Sequence, residues 1–328
     1  MKVLVTGASG LLGRAVAARV LAAGHDVRTF QRRPSAVAGV QDVRGSLTVA
    51  QDVQRAVAGV DAVVHLAAKV SLAGDPADFA RVNVEGTGAL LAAAARAGVT
   101  RFVQVSSPSV AHSGTSIVGA GAGPADPDRA RGDYARTKAR AELLALAADG
   151  DDMRVVAVRP HLVWGPGDTQ LVARLVARAR AGRLPLLDGG RALIDTTYVD
   201  NAAAAIAAAL GRAADDAVHG NAYVVTNGEP RPVAEMLAGI CAAAGAPAPR
   251  WSVPAGLARA AGGAVEAVWR VRPGRDEPPM TRFLAEQLST AHWFDQRRTR
   301  ADLQWAPEVT IDDGLARLRA AAARTDGA

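Results

Sequence analysis

The sequence predicts an α/β fold, a doubly wound parallel sheet followed by a smaller, mostly helical C-terminal part. Three observations carry that expectation. Val3, Leu4 and Val5 form a short apolar run suited to a buried central strand. Strand-like and helix-like stretches then alternate as far as Asp168, the mark of a parallel sheet with helices on both faces. From Gly228 onward the alternation gives way to helical, irregular chain with prolines at 247, 249, 254, 273, 278 and 279.

In order, the first strand runs into a turn from Thr6 to Gly13, and a helix follows with Val16, Val20 and Leu21 on one side. Such a helix opens with free backbone amides, which makes its start an anion site. Gly7 allows a tight turn, Gly10 lets backbone approach a pyrophosphate, and Gly13 lets the helix pack closely on the sheet, so the turn reads as dinucleotide-binding. The spacing is GxxGxxG rather than the usual GxGxxG. Asp26 to Phe30 alternates as a second strand and ends in Gln31, Arg32 and Arg33. An acid there would hold the ribose hydroxyl of NAD, whereas arginines accept a 2′-phosphate, so NADP(H) is expected ahead of NAD(H). The alternative for Arg32 and Arg33 is solvated loop charge in an arginine-rich chain.

Gly45, Ser46 and Leu47 precede a helix carrying Val49, Val53 and Val57. Asp61 to His65 is a further buried strand, and Leu66, Ala67 and Ala68 at its end offer small residues against which a cofactor plane can lie. His65 itself reads as a packed strand-end histidine. A long helix is expected over 79–97 with Asn83 on it, and the strand 101–105 delivers Ser106 and Ser107 to the carboxyl edge, where ligands bind in open α/β sheets. Residues 113–132, rich in Gly, Ala and Pro, are expected to form a flexible lip of a site.

Tyr134 and Lys138 open the next helix four residues apart and therefore share a face. A fixed ammonium beside a phenol stabilises the phenolate and is expected to lower the tyrosine pKa from about 10, making it a usable general acid. With only three tyrosines, and Lys2, Lys69 and Lys138 as the only lysines, the pairing gains weight. A strand over 155–158 closes on Arg159 and Pro160. A helix with Leu171, Leu175 and Val176 follows, then a segment over 193–199, a helix over 201–212 and a strand over 222–226. Residues 253–271 are expected to form a lid helix, not a membrane anchor, because Arg259 and Glu266 interrupt them. Two domains are thus expected: a dinucleotide-binding one from 1–168 and 192–228, and a substrate-binding one or lid from 169–191 and 229–328.

Composition narrows the function. The chain has 328 residues, enough for one large or two unequal domains, with 49% hydrophobic and 21% charged residues. Cys241 is the single cysteine, so no internal disulfide forms and a reducing cytoplasm is expected. No basic leader and no run of about 18 apolar residues is present, so no transmembrane segment is expected. The net charge of +6 comes almost wholly from scattered arginines without interleaved aromatics, which argues against nucleic acid and fits an anionic cofactor or acidic substrate. No metal is expected.

Several stretches together resemble one family. They are Thr6 to Gly13, His65 to Ala68, Asn83 to Thr87, Tyr134 with Lys138, Arg159-Pro160 followed by Trp164 to Asp168, and Tyr198 to Asn201. In these the chain is similar to extended short-chain dehydrogenases/reductases, and within them to the 3β-hydroxysteroid dehydrogenase-like branch. Asp195 to Tyr198, Asn227 to Pro230 and Glu277 to Leu284 look closest to bacterial 2-alkyl-3-oxoalkanoate reductases of olefin biosynthesis.

The resemblance implies a Rossmann domain and roles for matching positions. Tyr134 would be the proton donor to a substrate carbonyl, Lys138 would bind the nicotinamide ribose, and Ser107, with Ser106 as second choice, would hydrogen-bond the carbonyl. The cofactor would lie along Gly7, Ser9, Gly10, Leu11, Leu12, Gly13, Gln31, Arg32, Arg33, Leu47, Leu66, Ala67, Ala68, Asn83, Ser106, Tyr134, Lys138, Pro160, Leu162 and Val163. Lys69, Ser109, Trp164 and Tyr198 would face the substrate, Lys69 pairing with a β-keto acid carboxylate. Ser46 stands where the family commonly has an aspartate, which puts adenine contacts there in doubt.

The expected activity is an NADPH-dependent ketoreductase acting on an apolar ketone or secondary alcohol, first of the 2-alkyl-3-oxoalkanoate type. A 3β-hydroxysteroid dehydrogenase, a sugar-nucleotide epimerase or reductase, and a non-catalytic NADP(H)-binding regulator are the alternatives. A homodimer is plausible by analogy, and docking to partner enzymes stays open.

Overall fold

A computed structural model describes residues 1–71, 74–271 and 281–326. Its centre is a seven-stranded, wholly parallel sheet. From one edge to the other the strands are Ala222–Val225, Arg154–Pro160, Arg101–Val105, Ala62–His65, Lys2–Thr6, Asp26–Gln31 and Gln41–Arg44. Side chains alternate across a strand, so each apolar run feeds two cores at once. Val3 and Val5 pack with Val64, Val103, Val156 and Val158 on one face. Leu4 packs with Val63, Phe102 and Val155 on the other. Helices Leu11–Ala22 and Val199–Arg212 cover the first face through Val16, Val20, Ile206 and Leu210. Helices Ala50–Val57 and Gly86–Arg96 cover the second through Val53, Leu90 and Leu91. The doubly wound parallel sheet is therefore the observed fold, with the strand order reversing between Lys2–Thr6 and Ala62–His65.

Three expectations need correction, and the stretch 193–199 gains detail. The helix over 79–97 is three pieces: Pro76–Phe79, a π-helical turn Ala80–Glu85 holding Asn83, and Gly86–Arg96. The stretch 193–199 divides into the short strands Leu193–Ile194 and Thr197–Tyr198, and the following helix starts at Val199.

The 113–132 loop is no free lip. Ile117–Ala120 pairs in parallel with His292–Phe294, in a second sheet completed by Leu193–Ile194 and Arg231–Pro232. The Arg159 guanidinium, only 1% exposed, then donates to the carbonyls of Ala122 and Gly123 and forms a buried ion pair with Glu142. The loop is rich in residues of poor intrinsic structure, and backbone pairing supplied from distant sequence overrides that.

Finally, part of the span 229–328 belongs to the first core. Leu303 and Trp305 pack into it, Thr299 Oγ1 donates to the Val224 carbonyl at 2.9 Å, and the Tyr223 hydroxyl donates to Asp302 at 2.9 Å. The rest of the C-terminal chain builds a second core in which Val176, Met236, Leu237, Ile240 and Ile311 surround Trp164 and Tyr198. Ala255–Val271 is helical as expected and packs on helix Arg282–Ser289. Prolines 273, 278 and 279 lie outside the described residues. Among the described residues no helix is long and apolar enough to cross a membrane.

Candidate active site

The strand-order reversal opens a crevice at the carboxyl ends of Lys2–Thr6 and Ala62–His65. Gly7 turns the chain there with φ +76°, and a Cβ on it would stand 2.9 Å from the Ala67 nitrogen. A Cβ on Gly13 would run into the Gly7 carbonyl. Around Gly10 the space is open, its nearest atom being the Gly7 oxygen at 3.5 Å. Helix Leu11–Ala22 starts at Gly10 without any side-chain cap, so its first amides face the crevice unsatisfied by protein. The residues present thus fit the pyrophosphate of a dinucleotide: two glycines are needed for closeness and the third leaves room. Ser9, Leu11 and Leu12 flank the turn, and Leu66, Ala67 and Ala68 form the opposite wall, all partly exposed.

The helix of the expected catalytic pair is tied to the end of strand Arg101–Val105. Helix Gly132–Ala147 carries Tyr134 and Lys138 on one face, and Lys138 Nζ donates to the Val105 carbonyl at 2.6 Å. Burial pulls the Lys138 ammonium down to about 8, opposed by the nearby Glu142 charge. The expected lowering of the Tyr134 pKa is not found. Desolvation of the half-buried phenol pushes it up to about 12, because the ammonium is itself desolvated and bound to Val105.

Ser107 lies partly exposed at the strand end and accepts twice, from the Ser109 amide at 3.3 Å and the Ser109 hydroxyl at 3.0 Å. Its own hydroxyl proton is left for a carbonyl oxygen. Ser106 is buried, with no protein partner for its hydroxyl. The geometry favours Ser107 over Ser106, and gives Ser109 the task of orienting it.

Asn83 is buried, and its amide is spent on the protein. Oδ1 accepts from the Lys69 amide at 2.7 Å, while Nδ2 donates to the Lys69 carbonyl at 3.2 Å and to Thr137 Oγ1 at 3.1 Å. It ties the chain after Ala68 to the turn that holds Lys138. Lys69, expected to pair with a substrate carboxylate, already has an internal one: its Nζ lies 3.1 Å from Asp78 and 4.8 Å from the centre of the Phe79 ring.

At the far end of the crevice Gln31 is buried and donates to Thr29 at 3.1 Å and Asp42 at 2.9 Å. Asp42, on the neighbouring strand Gln41–Arg44, also accepts from Thr29 and from the Ser35 amide. Those bonds hold its carboxyl below the usual range against the opposing effect of desolvation. With the acid committed, Arg32 and Arg33 stand exposed at the rim. Ser46 donates its amide to Asp52 at 3.0 Å, and Leu47 is buried in the sheet's second core. Pro160 is buried and Val163 partly exposed, while Leu162 between them holds φ +46°, a left-handed backbone rare for leucine. Trp164 and Tyr198, expected at the substrate, are packed inside the protein. They are 0% and 2% exposed, pack edge to face at 5.4 Å, and Trp164 donates to Thr196 at 2.9 Å.

The sequence alone assigns no role to Thr6, Thr87, Thr137, Glu142 or Arg159. Thr87 and Glu142 each stand four residues beyond a residue it singled out, Asn83 and Lys138, a spacing that places them on the same helix face.

Residues 3–226 match the NAD dependent epimerase/dehydratase family. The chain belongs to that family. It is an extended short-chain dehydrogenase/reductase, and so an oxidoreductase. It is 44% identical to the 2-alkyl-3-oxoalkanoate reductase of Stenotrophomonas maltophilia, over 98% of this chain and 100% of that one. Identity is 38% to the protein of the same description from Shewanella oneidensis, over 96% and 85% of the two chains. To the 3-beta-hydroxysteroid dehydrogenase of Mycolicibacterium neoaurum it is 32%, over 96% and 89%. Among solved structures, a short-chain dehydrogenase/reductase superfamily protein from Agrobacterium tumefaciens with bound NAD superposes with a TM-score of 0.74 at 25% identity. The match covers 100% of this chain and 98% of that one.

Proposed function

We propose that the protein is an NADPH-dependent reductase of a β-keto group on a long, apolar acid, of the 2-alkyl-3-oxoalkanoate type. The observation that carries the reading is Ser107, with two acceptor bonds filled and a hydroxyl proton free, at the same strand end where Val105 holds the ammonium of the Tyr134 helix. Near-full-length similarity to proteins named 2-alkyl-3-oxoalkanoate reductase supports the substrate class. Exposed Arg32 and Arg33, beside an Asp42 already committed, support the 2′-phosphate.

When bound along Gly7 to Gly13, the nicotinamide cofactor supplies the hydride. The chain's own task is orientation and electrostatics. Ser107 donates to the ketone oxygen, Tyr134 delivers the proton to that oxygen, and Lys138 offers positive charge as the phenol gives up its proton. A phenol that desolvation holds near pKa 12 is a reluctant acid, and the ammonium four residues on is the charge available to the phenolate as it forms. The buried Pro160 and strained Leu162 would border the nicotinamide, and the C-terminal part would close over an apolar substrate.

The test is the initial rate of NADPH against NADH oxidation with a 2-alkyl-3-oxo acid, a 3-ketosteroid, simple ketones and a keto-sugar nucleotide. NADPH-selective turnover of the β-keto acid is expected. Turnover of the 3-ketosteroid alone would move the protein to the hydroxysteroid branch.

A further inference from the structure

A continuous chain of hydrogen bonds runs from the glycine turn to the Tyr134 helix. Thr6 Oγ1 accepts from the Leu66 amide at 3.1 Å and the Ala67 amide at 3.0 Å, and meets His65 Nδ1 at 2.8 Å. His65 Nε2 meets Thr87 Oγ1 at 3.0 Å, and Thr87 donates to the Asn83 carbonyl at 2.7 Å. Asn83 then binds Thr137, whose hydroxyl donates to the Asp133 carbonyl at 2.7 Å.

The donors and acceptors admit one arrangement. Thr87 spends its proton on Asn83, so it accepts from His65 and the histidine carries its proton on Nε2. Nδ1 is then a bare acceptor for the Thr6 hydroxyl, which already receives two amides. A charged imidazole has no place in the chain: Nδ1–H would face a Thr6 oxygen without a lone pair to give. Burial agrees, pulling His65 down to about 3, with the nearby Lys138 charge adding to it. Every member named from Thr6 to Thr137 except the Leu66 and Ala67 backbone is buried.

We infer that His65 and Thr87 are positioning residues which fix the distance between the dinucleotide turn and the helix bearing Tyr134 and Lys138. The π-helical turn at Ala80–Glu85 gives the chain its reach, since it contains Asn83 and leads into the helix where Thr87 sits. The inference rests on the ketoreductase reading for its kinetic arm only.

Thr87→Val removes one hydroxyl and keeps the volume, breaking the relay at its middle far from any substrate. In the cofactor-free protein, hydrogen exchange at the Leu66, Ala67 and Lys69 amides is expected to quicken. With NADPH and a ketone, kcat is expected to fall ~10-fold or more, since misplacement of this order is costly, while the KM for NADPH changes less than about twofold. Thr87→Ser restores both, and Thr87→Ala repeats the loss should Thr87→Val not fold. Exchange quickened only within 83–91, or unchanged kcat beside a lowered Tm, would overturn the inference. A wild-type protein silent toward every ketone sinks the ketoreductase reading instead, and the exchange measurement still decides the relay.

Discussion

Lys138 donates its ammonium to the Val105 carbonyl at 2.6 Å, at the end of the strand that presents Ser107. The lysine is thereby anchored to the sheet, and burial brings its proton loss to about pH 8. Its charge is lost as the pH rises, so kcat/KM is expected to decline on an alkaline limb near that value. Tyr134→Phe removes the proposed proton donor and is expected to cost ~10²–10⁴-fold in kcat with NADPH still bound, read by fluorescence titration.

Glu142 both supports the lysine charge and balances Arg159 inside the protein. Glu142→Gln should lower the alkaline limb. It leaves a buried guanidinium uncompensated, and a loss of about 3–5 kcal/mol is expected in denaturant unfolding. An unchanged alkaline limb would show that Glu142 does not act on Lys138.

Arg32 and Arg33 give the cofactor preference its test. Replacing both by alanine is expected to raise the KM for NADPH by ~10–100-fold, the equivalent of a charge-assisted bond, and to leave that for NADH nearly unchanged. Equal effects on both cofactors would return these arginines to mere rim charge.

A Cβ on Gly314 would stand 2.7 Å from the Tyr198 ring and 2.9 Å from that of Trp164. Gly314→Ala should destabilise by roughly 1–3 kcal/mol through overpacking while leaving kcat and the substrate KM as they are. A change confined to the substrate KM would put the two rings back at the substrate.

His112, His161 and His292 are buried together, with ring centres 4.6 Å and 5.7 Å apart along the row. Burial lowers all three, His161 to about 4. The unfolded chain takes up these protons below about pH 6.5 and the folded one does not, so stability falls with pH from there downward. Asp195, raised to about 6 by burial, works the other way as one carboxyl against three imidazoles. Thermal unfolding between pH 7 and 5 should show the loss, and a flat profile would contradict it.

Where the sequence was a good guide, the chemistry was local. The run Val3, Leu4 and Val5 reads as a strand because each residue is apolar whichever face it meets. Gly7, Gly10 and Gly13 likewise declare a backbone need that neighbouring residues cannot supply. What stayed hidden depended on partners far along the chain. In residues 117–120 only Ile117 and Val118 favour a strand, inside a Gly-rich loop, and His292–Phe294 provides the pairing that decides it. Likewise, Trp164 sits in a stretch that resembles a family motif, but only the fold turns its ring into the second core. The tyrosine pKa was misjudged because spacing shows which groups are neighbours and says nothing of how much water either retains.

The pairing of Ile117–Ala120 with His292–Phe294, together with the return of Leu303 and Trp305 to the first core, sets how this enzyme can be recombined. A chimera joined by one cut near Gly228 would exchange half of the second sheet and pull Leu303 and Trp305 out of the first core. A transplantable specificity module here is discontinuous: a graft has to carry the 113–124 insert with its distant strand partner, and leave 297–305 with the host.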